Sequence, residues 1–296
     1  MAITRITQNM MSARSNLSLQ TALSRLAKTQ EQLTTGRVLN RPSDSPADTT
    51  SAMRLRAKLA DHEQYARNIT NGQGWLSSLD TALQTALHTV SRATDLSIQA
   101  INGTNQGAQG RNAIAIEIDQ LRDSLVSTAN TTYLGRPVFG GITAGDVAYD
   151  ASGTYVGTPG TVERTIAPGV KVPVNVDGPT AFGTPGSDVF QDLTDLSNAL
   201  RLGDMATVQA KMGSLQAAHG RLTTTLSDVG VRASRLDKAD QTLLDSKLQM
   251  STSLSELENV DIAQATMDLK MQELAYQTAL SSTARLVQPS LSDFLR

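Results

Sequence analysis

The sequence predicts a mainly α fold: a long-helix coiled-coil rod whose N- and C-terminal helices pair, carrying a small inserted β-rich domain. Three observations predict it. Apolar or small residues recur in steps of three and four at both ends, at Ile6, Met10, Ala13 and Leu17 and again at Val260, Ala263, Met267, Met271 and Leu274. That spacing puts one narrow apolar stripe on each terminal helix, and a stripe this narrow asks for a helical partner. Leu236, Leu243, Met250 and Leu257 repeat every seven residues, the period at which helices wind round one another. Between Gly135 and Gly186 lie 11 of the 21 Gly and 6 of the 9 Pro, with only seven charged residues, a local composition that favours turns and short strands over helix.

The first helix is expected over Ile3–Leu33, a stretch without Gly or Pro, roughly 45 Å long at 1.5 Å per residue. Gly36 ends it as a C′ residue. Ser45, Pro46 and Asp48 then form a start signal: N-cap, first helical position and a short capping-box acid. A second long helix is expected from there to about Ala100, with Gly72 and Gly74 weakening its continuity and Trp75, the single Trp, as a core anchor. A third covers about Arg111–Asn130 after a turn at 101–110. From Tyr133 the short runs TYV, VERTI and VKVPVNV between Gly and Pro turns read as small antiparallel strands. Helical spacing returns with a short helix over Val189–Arg201 and a very long one over Met205–Leu257. The segment ENVDIA (258–263) separates the latter from the C-terminal helix.

The order is two long helices, the β insertion, then two long helices. Nested pairing, outer with outer and inner with inner, predicts three regions: 1–40 with 260–296, 41–133 with 188–259, and 134–187. Aromatics are only 3% of the 296 residues, which suits extended helices with thin cores. Net charge is −2 and the basic residues do not cluster, so neither nucleic acid nor an anionic membrane is an expected partner. No apolar run is long enough for a transmembrane helix, and the opening residues lack the apolar core of a cleaved secretory signal. The absence of Cys excludes disulfides and thiol chemistry.

No catalytic pattern emerges. His62, His88 and His219 lie far apart without metal-ligand spacing. No GxxxxGK[ST], GxGxxG or GxSxG occurs. Asp188, Asp192 and Asp195 suit the first turns of a helix through its dipole better than a cation cluster. Asn68, Asn102 and Asn130 each open an N-x-T sequon, to which a chain without a secretory signal gives little weight. No enzyme activity, cofactor or metal is expected.

The N-terminal ITQNMMSARSNLSLQTALSRLAKTQEQLTTGRVLNRPSDSPAD, with its ITQN opening, TTGR turn and DSPA helix start, resembles the amino-terminal signature of the bacterial flagellin family. The C-terminal VDIAQATMDLKMQELAYQTALSSTARLVQPSLSDFL resembles the matching carboxy-terminal signature. Together they cover about 80 residues in the right order at the right ends. YLGRPVFGGITAG, TYVGTPG, VKVPVNVDGPTAFG and VFQDLTDLSNAL are similar to the family members that join hook to filament. DSPADTT (44–50) and TARLVQPSL depart from filament flagellins and point the same way.

The resemblance implies an inner coiled-coil layer of paired terminal helices, a helical middle layer and an outer β domain. It also implies a structural adaptor between the hook-side junction protein and the flagellin filament, one of a ring of copies of itself. Export through the flagellar type III system without signal cleavage follows from the same likeness, with a chaperone holding the C-terminal region beforehand, and so does an extracellular place on the flagellum. A filament-forming flagellin with a small outer domain is the alternative. The residues expected to form the assembly seam are Ile6, Met10, Leu17, Met267, Met271, Leu274 and Leu291. Marginal terminal helices of this kind are expected to stay largely disordered until neighbours supply apolar surface.

Overall fold

The computed structural model describes residues 2–102 and 107–287. It is mainly helical, with α1 (Ala2–Thr35), α2 (Pro46–Asn102), α3 (Ala108–Ala129), strands β1 (Thr132–Tyr133), β2 (Arg136–Pro137), β3 (Glu163–Ala167) and β4 (Val170–Pro173), then α4 (Gly178–Phe182), α5 (Val189–Leu202), α6 (Met205–Glu258) and α7 (Ile262–Val287). The chain divides into two compact units, one of residues up to Ala60 together with those from Lys247 onward, the other Asp61–Ser246.

In the central unit α3 and α5 lie against each other. Ile114, Ile118 and Leu125 on α3 and Phe190, Leu193 and Leu196 on α5 are buried, as their three- and four-residue steps require. The Ser197 hydroxyl donates to the Ala115 carbonyl across this contact at 3.2 Å. α2 is unbroken through Gly72 and Gly74, and the reason is packing that outweighs helix propensity. A Cβ on Gly72 would come within 2.9 Å of the Leu236 side chain, and one on Gly74 would overlap the Tyr133 hydroxyl. The two glycines let α6 and the β1 strand approach. Trp75 is buried beside them, edge-on to Tyr133 at 5.8 Å.

The inserted region forms two separate two-stranded antiparallel sheets, β1–β2 and β3–β4. Leu134 and Gly135 both take positive φ in the first hairpin, the requirement of a two-residue primed turn. VERTI and VKVPVNV supply β3 and β4, whereas TYV makes a single bridge, Tyr149 to Tyr155. Its neighbours are held instead by a carboxylate turn: Asp150 accepts from the Ser152 and Thr154 amides at 2.9 and 2.8 Å. Those bonds hold its carboxyl below the usual range, the Ser152 side chain contributing most. Phe139, Tyr149, Phe182 and Phe190 form the aromatic centre of this region, at ring separations of 4.9 to 5.7 Å. The Asn130 side chain accepts from the Ala148 and Tyr149 amides and donates to the Tyr149 carbonyl, a structural use of that sequon residue.

Asp188 is the N-cap of α5, accepting from the Gln191 amide at 2.9 Å. Asp192 and Asp195 share Lys211 at 3.0 and 2.6 Å. The trio therefore serves a helix terminus and an ion pair. No cluster of metal-ligating side chains exists among the described residues, and none of the described helices is long and apolar enough to cross a membrane.

Candidate assembly surface

The terminal unit is built from two helix ends and the two turns that join them inward. α1 stops at Thr35, and Gly36 takes φ +69°, the left-handed C′ conformation that glycine adopts without strain. α2 begins at Pro46, where the Ser45 hydroxyl accepts from the Asp48 amide and donates to the Asp48 carboxylate at 2.6 Å. Asp261 caps α7 by accepting from the Ala263 and Gln264 amides. The two turns are stitched together. Val38 N–H donates to the Glu258 carbonyl, Val260 N–H donates to the Gly36 carbonyl, and Arg37 bridges Asn259. Lys28 holds Asp44 at 3.1 Å, and the Asp44 carboxyl lies below its usual range because it accepts from the Arg41 amide and is paired with Lys28.

Beyond the turns α1 and α7 run antiparallel, with the Ser15 and Thr283 hydroxyls 2.6 Å apart and the Thr29 hydroxyl donating to Gln272 at 3.0 Å. The shielded stripe of α1 is Ser15, Leu19, Ala22, Leu26, Thr29 and Leu33. That of α7 is Ala265, Leu269, Gln272, Tyr276, Ala279 and Thr283. Both advance in steps of four and three, the seam spacing of a two-stranded coiled coil.

The residues expected from sequence to form the seam lie on other faces. Met10, Leu17, Met267, Met271 and Leu274 are all exposed, Leu17 and Leu274 to 64% and 65%. The Ile6 side chain and Leu291 lie outside the described residues. The contact between α1 and α7 is thus made by a second, shifted stripe, which the apolar spacing of Leu19, Leu26 and Leu33 marks on α1 and which its Ser, Thr, Ala and Gln members do not. Its signal was present as an unbroken 4-3-4-3-4 spacing, but in Ser, Thr, Ala and Gln as much as in Leu. Each terminal helix carries two stripes: a mixed one that closes the pair, and an apolar one left facing outward. Monomers rarely leave such rows of large apolar side chains uncovered without a use.

Comparison with known proteins finds the two helical ends of the chain in one family. Residues 6–144 match the bacterial flagellin N-terminal helical region, and residues 212–295 match the bacterial flagellin C-terminal helical region. The chain is 28% identical over 245 residues to flagellar hook-associated protein 3 of Escherichia coli K12, covering 78% of this chain and 74% of that protein. It is 26% identical to flagellar hook-associated protein 3 of Salmonella typhimurium, covering 87% and 82%. Among solved structures, a putative flagellar hook-associated protein from Vibrio parahaemolyticus shares the fold with a TM-score of 0.66 at 24% identity, over 73% of this chain and all of that one. FlgL of Bacillus cereus does so with a TM-score of 0.61 at 23% identity, over 68% and 99%. With both terminal helical regions matched at the two ends of one polypeptide, the chain belongs to the bacterial flagellin family, and within it is similar to hook-associated protein 3.

Proposed function

We propose that this chain is a structural, non-catalytic subunit of the flagellum that joins the hook, through its hook-side junction protein, to the flagellin filament. The observation that carries the reading is the exposed apolar stripe on each member of the α1–α7 pair, at Met10 and Leu17 and at Met267, Met271 and Leu274. Neighbouring subunits are the natural cover for it. Burying five such side chains contributes on the order of 5 to 10 kcal/mol, enough to offset much of the cost of association. Ile6 and Leu291 extend the same stripes in sequence. The three regions 1–40 with 260–296, 41–133 with 188–259, and 134–187 then act as an assembling core, a spacer and an outward-facing β domain.

In this reading the subunit works outside the cell, in a ring of copies. It reaches that place through the flagellar export channel with its ends unpaired, and a chaperone covers the C-terminal region beforehand. The experiment is complementation of a strain that lacks its own hook–filament junction subunit. The expected result is hooks bearing attached filaments, with the labelled chain at the boundary. Filaments shed into the medium, or labelled chain along the whole filament, would contradict the reading; the second result would identify a filament flagellin instead.

A further inference from the structure

A groove of about 370 Å³ opens on the central unit where α2, the β3–β4 hairpin and one face of α6 meet. Its floor is apolar: Ile166 and Leu243 are buried, and Tyr65, Val170 and Ala239 pack against the same core. Its rim is basic. Arg235, Lys238 and Thr242 are exposed and follow one another on α6 in steps of three and four, so they form one stripe beside the floor. Neither Arg235 nor Lys238 has an ion-pair partner among the described residues. His62 on α2 completes the lining, and its Nδ1 has no hydrogen-bond partner among the described residues. No carboxylate among the described residues lines the groove. Asp237 and Asp240 stand on the same helix, but their positions in the turn place them on other faces. The groove is thus locally basic in a chain whose net charge is −2.

We propose that this groove binds a small anionic amphiphile, a single short acyl chain ending in a carboxylate. The acyl chain lies on Ile166, Val170 and Leu243, where its apolar surface leaves water. The carboxylate sits between Arg235 and Lys238, which supply charge-assisted hydrogen bonds. An apolar concavity with a few convergent polar groups is the usual form of a small-molecule site, and this volume falls at the small end of the range for such sites. A stable protein partner would need about 800 Å² of surface on this side, far more than so small a groove offers. A neutral ligand would leave the two cations unused, and a cationic one would meet like charge, so the rim selects for anions. The ligand touches three elements distant in sequence. Its binding therefore holds the hairpin to both helices and stabilises the folded central unit. The site lies wholly within that unit, and the junction role does not enter the argument.

Isothermal titration of the purified full chain with decanoate, kept below its micelle-forming concentration, tests it. One saturable site is expected, with slower hydrogen exchange over residues 165–171 and 235–243. Decanol and decyltrimethylammonium carry the same tail without the negative charge, and each is expected to bind at least about tenfold more weakly. The double variant Arg235→Glu/Lys238→Glu is expected to weaken decanoate at least about tenfold and to bind decyltrimethylammonium better than the wild type does, because the sign of the rim is reversed. Thr242→Trp places a large side chain over the floor from an exposed position and is expected to weaken all three probes. These three positions are exposed, and circular dichroism checks that each variant keeps its helix content. No saturable decanoate binding by the wild type, or decanol bound as tightly as decanoate, would overturn the proposal. So would a charge-reversed variant that binds decanoate as the wild type does, or a Thr242→Trp variant with unaltered binding.

Discussion

The backbone N–H of Val38 donates to the carbonyl oxygen of Glu258 at 2.7 Å, tying the turn that leaves α1 to the last residue of α6. The return bond from Val260 to Gly36, at 3.0 Å, makes the two connections of the terminal unit one object. The Glu258 side chain is buried and lies 2.7 Å from Arg56. The two connections brace one another. Each is ten residues or fewer of irregular chain, and each uses the other's backbone as a substitute for a sheet.

Arg56→Ala is therefore expected to loosen this junction. It leaves a buried carboxylate unpaired, a change that costs about 2 kcal/mol or more. Hydrogen exchange should show faster exchange at Val38 and Val260 with little change over residues 61–246. Unchanged exchange at both amides would mean that the ion pair is incidental.

Two glycine substitutions should move stability in opposite directions. Gly220→Ala sits within α6 with nothing near its would-be Cβ, and is expected to stabilise by roughly 0.5–1 kcal/mol through helix propensity. Gly74→Ala gains the same propensity but drives into Tyr133, which is packed on Trp75. It should be a net loss, with a change in Trp fluorescence that Gly220→Ala does not cause. Denaturant titration of both variants checks the sign.

The contrast also shows what the sequence made legible. Ser45, Pro46 and Asp48 gave the start of α2 because a helix cap is a local device, complete within four residues. Gly72 and Gly74 suggested a break because the reason they are tolerated lies on other elements, at Leu236 and Tyr133. The fold class followed from repeated spacing that a single helix displays by itself. The inner stripe of the terminal pair did not, since Ser15, Thr29, Gln272 and Thr283 declare themselves as contact residues only once their partners stand opposite. The outer apolar stripe was visible at once, because nothing but hydrophobicity is needed to see it.

The Asp192–Lys211–Asp195 group gives the central unit a pH dependence with two limbs. Its hydrogen bond to Lys211 holds the Asp195 carboxyl below the usual range. The stability this brings is present above the unfolded value near 3.8 and is lost as pH falls through the lower folded value. Lys211 is shifted up, Asp195 being the largest cause. Its contribution is complete below 10.5 and is lost as pH rises through the higher folded value. Lys211→Met should abolish the alkaline limb and leave Asp192 buried without its cation. Denaturation midpoints measured from acid to alkaline pH should thus be flatter at high pH, and lower throughout the neutral range, than those of the wild type. An unaltered alkaline limb would show that other groups set it.

The two stripes of α7 should separate cleanly by mutation. Leu274 points outward and is 65% exposed, so Leu274→Asp is expected to change stability by no more than about 0.5 kcal/mol and to leave residues 45–257 folded. It should nonetheless prevent filament attachment, because a carboxylate replaces the apolar surface that a neighbour must cover. Ala279 lies on the inner stripe between Gln272 and Thr283. Ala279→Asp is expected to cost about 1–3 kcal/mol of the α1–α7 contact, seen as faster hydrogen exchange along α1 in the isolated chain. If the dilute wild-type chain already exchanges freely over Ile6–Leu26 and Met267–Leu286, the pair forms only on assembly, and both variants then act at that step alone. If Leu274→Asp supports normal flagella, the outward stripe is not the seam.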